Sequence, residues 1–163
     1  MAEEIGAWSE PIQGVQGRLI TREDRIFNGT KIVAVYLELR NATNVLGSIE
    51  VYFDSNKLKT LIVDSNDDLI SKPMDAAMSV FEPLPLWLVL PYDSSLRFRV
   101  SVSGYGIPKG GTAIQMMEGL LLVGPNVKQE CFLEGTFVSE PEKKMSEEKW
   151  RGTIKLPKVL IPR

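Results

Sequence analysis

The chain has 163 residues, a formal net charge of −2 and no histidine, and 44% of its residues are hydrophobic. This length predicts a single domain, residues 1–163, that buries a core without needing a metal or a disulfide. The missing histidine excludes Ser-His-Asp and Cys-His catalysis and the usual histidine-containing zinc sites, and the small net charge predicts no binding to nucleic acid or to an anionic membrane.

Alternation of apolar and polar side chains with a period of two residues is the dominant pattern. It is clearest in Leu96–Ser103, where four apolar side chains are predicted to face inward and the Arg and Ser side chains outward. Segment Met116–Val123 stays ambiguous because Gly119 interrupts it, and Met74–Val80 fits a helical turn or an irregular strand. In chain order the predicted strands are Gly14–Ile20, Lys31–Arg40, Ser48–Phe53, Leu58–Val63, Leu86–Leu90, Leu96–Ser103, Thr112–Met117, Cys131–Val138 and Thr153–Ile161.

Turn-forming residues separate many of these strands, as at Asn28-Gly29, Pro91-Tyr92-Asp93 and Gly124-Pro125-Asn126. No amphipathic helix longer than two turns is convincing. Short strands punctuated in this way are typical of a sandwich or a barrel. The sequence therefore predicts an all-β fold, an antiparallel β-sandwich of about 7–9 strands.

The segment Asp64–Asp68 is the strongest acidic cluster, and Asp75 follows it. It favours a hairpin turn, because Asp and Asn tolerate turn geometry. The alternative is a weak calcium site that would use the side chains of Asp64, Asn66, Asp68 and Asp75. A glycine is missing at the sixth loop position, where an EF-hand needs one, so the calcium interpretation departs from that motif. No other metal site and no cofactor is predicted.

Gly104–Gly111 is rich in glycine and contains one lysine, but its spacing fits neither GxxxxGK[ST] nor GxGxxG. We therefore interpret it as a loop between strands rather than as a phosphate site. Binding residues often lie on loops of a rigid scaffold. The candidate binding surface consists of turn residues, namely Tyr92, Asp93, Tyr105 and Lys109.

Cellular location is left open by the composition. Residues 1–11 lack a basic region and an apolar core, so they do not predict a signal peptide. No apolar stretch reaches the 18 residues needed to span a bilayer. We expect either a cytoplasmic protein or an exported domain, periplasmic or extracellular, whose leader has been removed. The lone Cys131 has no partner for an intramolecular disulfide and is predicted to be a buried apolar residue.

Three segments resemble immunoglobulin-like modules of exported bacterial proteins. The first is Trp8–Leu19, which fits a W-x-x-x-x-x-G-x-x-x-R-L start and leads into Ile32–Asn41. The closing segment Trp150–Val159 is similar to a W-x-G-x-L-x-L-P-x-V strand, and Leu133–Phe137 is similar to the strand before it, with Cys131 in place of a tyrosine. The resemblance implies an immunoglobulin-like fold and an exported setting. It implies no substrate, cofactor or site, and the Cys…Trp…Cys core of antibody domains is absent.

The leading functional hypothesis is a non-catalytic accessory or adhesion-type module, which binds a protein or a polysaccharide through its end loops or acts as a structural spacer. No enzyme activity is expected from it. Two alternatives stay open. One is a calcium-dependent sandwich that binds a sugar or a lipid. The other is a carboxylate-based hydrolase, which needs two acids within about 5–10 Å in a cleft. The oligomeric state is not predicted.

Overall fold

The computed structural model describes residues 2–75, 86–104, 106–140 and 149–163. Within these ranges the chain forms twelve strands and a short 3-10 turn at Ser55–Lys57. The strands are β1 (Glu3–Ile5), β2 (Val15–Phe27), β3 (Thr30–Asn41), β4 (Ile49–Phe53), β5 (Leu58–Val63), β6 (Leu69–Ser71), β7 (Leu86–Leu90), β8 (Ser95–Arg99), β9 (Thr112–Met116), β10 (Gly119–Val123), β11 (Phe132–Ser139) and β12 (Gly152–Leu160).

The first sheet has the order β1-β2-β3-β9-β10. The start of β3 pairs in parallel with β9, and its residues 36–40 pair antiparallel with β8. Strands β2 and β3 form a long hairpin closed by the two residues Asn28 and Gly29, whose φ angles are 48° and 77°. Positive φ at both positions is the type I′ turn, which matches the twist of the strands.

The second sheet has the order β12-β11-β5-β6, and β4 and β7 form a separate two-stranded ribbon. A backbone bridge between Val51 and Trp150 joins this ribbon to the chain just before β12. The indole nitrogen of Trp150 donates to the carbonyl of Ile12 at 2.8 Å. The buried Trp150 therefore ties the ribbon to the segment that precedes β2.

The main core lies between the inner faces of these sheets. From β3 it takes Val33, Val35, Leu37 and Leu39, the alternate positions that the sequence pattern assigns to one face. Phe137 of β11 packs against Phe53 of β4, with ring centroids 5.5 Å apart. Because burial of apolar side chains is the main source of stability, this period-two pattern indicates the hidden face in strands that alternate, such as β11, whereas β9 and β10 are buried on both faces.

The prediction of an all-β antiparallel β-sandwich is confirmed, while the immunoglobulin-like topology stays a prediction. The expected number of about 7–9 strands is too low. Two three-residue strands, β1 and β6, are too short to show alternation. The ambiguous segment Met116–Val123 contains β10, which begins at Gly119 after a tight turn from β9.

The predicted strand Leu96–Ser103 is shorter than expected, because β8 ends at Arg99. The backbone N–H groups of Val100 and Ser101 both donate to the Val35 carbonyl, at 2.9 and 3.3 Å. The Ser101 hydroxyl, expected to face solvent, is buried and accepts from the Val35 N–H at 2.9 Å. This local irregularity breaks the alternation beyond Arg99, and the prediction that Leu96 faces inward is wrong, because its side chain is exposed.

Part of the expected segment Met74–Val80 and the candidate residue Tyr105 lie outside the described residues. Among the residues that are described, no helix has the length and apolar character needed to cross a membrane.

Candidate functional site

Of the four predicted binding residues, the three that the structure describes do not come together at one end. Tyr92 and Asp93 lie in the turn between β7 and β8, beside the last residue of β3. Lys109 lies beside the first residue of β3, since the Thr30 hydroxyl donates to the Pro108 carbonyl at 2.6 Å. At about 3.3 Å per residue, β3 separates the two positions by roughly 35 Å. Tyr105 is not among the described residues.

Asn41, the last residue of β3, organises the end that carries Tyr92 and Asp93. Its side-chain amide donates to the carbonyls of Gly47 and Leu90, both at 3.1 Å. Its Oδ1 accepts from the N–H and the hydroxyl of Thr43, at 3.1 and 2.8 Å. Asn41 is only 3% exposed. One buried side chain therefore joins residues 42–48 to the end of β7.

The turn between β7 and β8 is also held by Asn41, whose N–H donates to the Ser94 carbonyl at 3.0 Å. Three large side chains project from this turn and from residues 42–48. Val45 is 74% exposed, Leu46 is 80% exposed and Tyr92 is 44% exposed. Apolar side chains on ordered loops are typical of surfaces that bind another molecule. We define the loop end as residues 42–48 together with residues 91–94.

Sequence reasoning named Tyr92 and Asp93 as candidates at this end but did not name Val45 and Leu46. The usable signal was two consecutive large apolar residues between Asn44 and Gly47, which favour a turn. Apolar residues in a turn have no buried face to occupy, so the pair was predictable as exposed.

A concave surface of about 590 Å³ adjoins the loop end. Its rim includes an ion pair between Lys149 and Glu50, and its floor includes the buried Trp150. The complete lining is Gln13, Thr43, Ser48, Ile49, Glu50, Lys149 and Trp150. Projecting apolar side chains therefore lie beside a mostly polar hollow.

The acidic segment Asp64–Asp68 forms the turn that connects β5 and β6, so its interpretation as a hairpin turn is confirmed. Asp64 Oδ1 accepts from the N–H groups of Asn66 and Asp68, at 2.8 and 3.0 Å. Asp75 lies beyond β6. In residues 2–75, 86–104, 106–140 and 149–163, no three acidic or cysteine side chains group closely enough to hold a metal. Calcium binding stays a prediction without added support.

A cleft of about 650 Å³ lies along β12 and is lined in part by carboxylates, the type of side chain that the hydrolase hypothesis needs. It is lined by Glu10, Asp67 and Glu134, and Glu134 also lines a neighbouring cavity of about 210 Å³. The Asp67 carboxylate already pairs with Lys158 Nζ at 2.8 Å. Glycoside hydrolysis requires two carboxyl groups in defined roles on either side of a bond. The hydrolase hypothesis stays a prediction.

Comparison with known proteins assigns no function to these surfaces. The chain matches no protein-family model, no curated protein and no solved structure. The likeness to immunoglobulin-like modules therefore stays a prediction, and the functional residues are inferred from the chain's own contacts.

A polar network on the outer face of the first sheet centres on Glu38, in the second half of β3. The Glu38 carboxylate accepts two hydrogen bonds, one from Arg18 Nε at 2.8 Å and one from the Ser95 hydroxyl at 3.0 Å. Burial raises the pKa of Glu38, but these hydrogen bonds and the charges of Arg18 and Arg97 outweigh it and hold the pKa below its ordinary value of 4.5. The charged form of Glu38 is therefore stabilised by folding.

Replacing Glu38 with glutamine is expected to lower the free energy of unfolding at neutral pH by about 1–2 kcal/mol, because charge-assisted hydrogen bonds are lost. The pKa is lower in the folded state, so the unfolded state binds the proton more readily. The stabilisation is complete above the ordinary pKa and is lost as pH falls through the folded-state pKa. Urea unfolding from about pH 7 to about pH 3 is the measurement.

The matched control for this prediction is Glu10→Gln, at an exposed carboxylate that forms no ion pair within the described part of the chain. Its stability is expected to follow the wild type at every pH. Equal losses for Glu38→Gln at both ends of the pH range would show that the charge of Glu38 is not stabilising.

Proposed function

We propose that this protein is a non-catalytic binding module whose loop end docks on a protein partner. One observation supports the proposal: Val45 and Leu46 are exposed on a loop that the buried side chain of Asn41 holds in place by hydrogen bonds. A loop ordered before binding loses less conformational entropy when a partner docks. Apolar side chains surrounded by polar groups are also the usual anatomy of a protein interface.

A protein partner is favoured over a polysaccharide by the aromatic side chains. Sugar rings need an open aromatic face on which to stack. Trp8 is half-buried, and the guanidinium carbons of Arg18 and Arg40 each lie 4.2 Å from the centroid of its ring. Tyr92 is then the only aromatic residue of the loop end, whereas the apolar area there comes mainly from Val45 and Leu46. An exported setting remains part of the proposal through the resemblance alone.

The test uses the double substitution Val45→Ser/Leu46→Ser and a partner captured from cells of the source organism and then purified. Calorimetric titration should show at least tenfold weaker binding of the partner, because both apolar contacts are removed. The matched control is Ile26→Ser/Phe27→Ser, which removes two exposed apolar side chains at the opposite end of β3. This control should bind the partner like the wild type.

Two outcomes would contradict the proposed function. One is a partner that binds both double variants equally well. The other is co-sedimentation with insoluble polysaccharides, unchanged by the Val45→Ser/Leu46→Ser pair, in a protein that captures no protein partner.

A further inference from the structure

The tip of the β2–β3 hairpin exposes two large apolar side chains. Ile26 is 68% exposed and Phe27 is 50% exposed. They are the last residues of β2, and Arg25 beside them is also exposed. Alternation of buried and exposed positions therefore stops before the tip. Both apolar side chains are therefore left at least half in contact with solvent.

The hairpin tip is held in place rather than left loose. Its type I′ turn is followed by Thr30, which is buried and whose hydroxyl donates to the Pro108 carbonyl. The N–H of Lys31 donates to the Gly111 carbonyl at 2.9 Å. Gly111 has φ +76°, and a Cβ there would lie 2.1 Å from the Val123 carbonyl oxygen. The glycine-rich loop matches no phosphate-binding motif. Its contacts with the start of β3 stabilise the hairpin.

Two positively charged side chains without a paired carboxylate lie near the tip. Nearby Glu23 and Asp24 are already paired, with Lys31 at 3.6 Å and with Arg99 at 3.2 Å. Among the residues that the structure describes, Arg25 and Lys109 form no ion pair. The end of the Lys109 side chain is close to the turn, because a Cβ built on Gly29 would lie 3.9 Å from its Cε. The hairpin tip is therefore locally basic, although the net charge of the whole chain is −2.

We propose that this tip is an interfacial anchor that inserts Ile26 and Phe27 into an anionic bilayer surface. Apolar side chains at a projecting tip, flanked by cations, match a lipid interface, where the acyl boundary takes up the apolar groups and the headgroups attract the charges. A bilayer needs no complementary pocket, so side chains exposed beside a hairpin turn can enter it. The net charge predicted no binding to an anionic membrane, and this proposal departs from that prediction at the hairpin tip.

The anchor is separate from the proposed protein-binding loop end, because the two lie at opposite ends of β3. A single insertion of this kind supports reversible rather than permanent attachment. The protein would then hold a partner at a distance of about one strand length from a membrane surface, roughly 35 Å.

Flotation with phospholipid vesicles tests the anchor. The full chain should float with vesicles of phosphatidylcholine containing about 30% phosphatidylserine at low salt, and much less with phosphatidylcholine alone. Ile26→Ser/Phe27→Ser should reduce the bound fraction at least tenfold. The matched control is Val45→Ser/Leu46→Ser, which should float like the wild type even though it is expected to lose the protein partner.

A second pair of variants separates charge from apolar insertion. Arg25→Gln/Lys109→Gln should lose about tenfold in binding to anionic vesicles, because each cation near the surface adds to the attraction. Circular dichroism and urea unfolding of each variant confirm that the fold is retained. The proposal is overturned if the wild type does not float, or if Ile26→Ser/Phe27→Ser floats normally. It is also overturned if that pair loses a protein partner instead, which would make the tip a protein-docking site.

Discussion

Phe137→Ala is expected to lower the free energy of unfolding by about 3–5 kcal/mol, the largest effect of any substitution considered for this chain. Phe137 is fully buried on the inner face of β11 and contacts the Phe53 ring. Truncation removes the apolar burial and leaves a cavity that rigid strands cannot close. Urea unfolding followed by tryptophan fluorescence measures the change.

Phe132→Ala on the same strand is the matched control. Phe132 lies on the opposite face of β11, is half-buried, and has Lys158 Nζ 5.1 Å from the centroid of its ring. We expect a loss of about 1 kcal/mol there, since only part of the side chain leaves water on folding. Losses of similar size at Phe132 and Phe137 would mean that the assignment of inner and outer faces is wrong.

The substitution Asn41→Ala should cost about 2–4 kcal/mol of unfolding free energy and should also loosen the loop end. It leaves the Leu90 and Gly47 carbonyls without their donor and the Thr43 N–H without its acceptor. Unpaired buried polar groups cost about 1–3 kcal/mol each. Urea unfolding measures the loss of stability, and amide hydrogen exchange should become faster in residues 42–48.

Asn44→Ala in the same loop serves as the control for Asn41→Ala. Asn44 is exposed, so its replacement should change stability by less than about 0.5 kcal/mol. Partner binding should weaken in Asn41→Ala and stay normal in Asn44→Ala, although neither change removes Val45 or Leu46. Unchanged exchange rates in Asn41→Ala would show that this residue does not order the loop.

Most of the strands were predictable because one face of each is buried. In β3 the alternate positions Val33, Val35, Leu37 and Leu39 predict both the strand and its inner face, and the other face is also apolar where the strand begins and polar only towards its end. Where a segment departs from this rule, prediction fails. Ser101 is buried, and its hydroxyl accepts a hydrogen bond from a backbone N–H. The alternation of apolar and polar residues does not predict this contact. The short strands β1 and β6 carry too few residues for a period to be read.

The candidate sites were predictable only in part, because a site depends on which loops the topology brings together. The sequence marks Tyr92 and Lys109 equally as turn residues. Their separation follows from long β3, whose two ends contact Pro108 and Ser94. Through Asn41 the same strand joins residues 42–48 to the end of β7, and its other end places the turn at Gly29 near Lys109. These groupings arise from strand pairing between distant segments, which local patterns do not determine.

The burial of Cys131 makes the chain suitable for site-specific labelling at an introduced cysteine. Its thiol is fully buried and lies 3.5 Å from the Gln129 carbonyl, and burial raises its pKa. The reactive thiolate is therefore scarce, and maleimide reagents in water do not reach it. A cysteine introduced at Leu46 or Ile26 would then be labelled alone, so that a fluorophore on either one reports on a single end of the molecule.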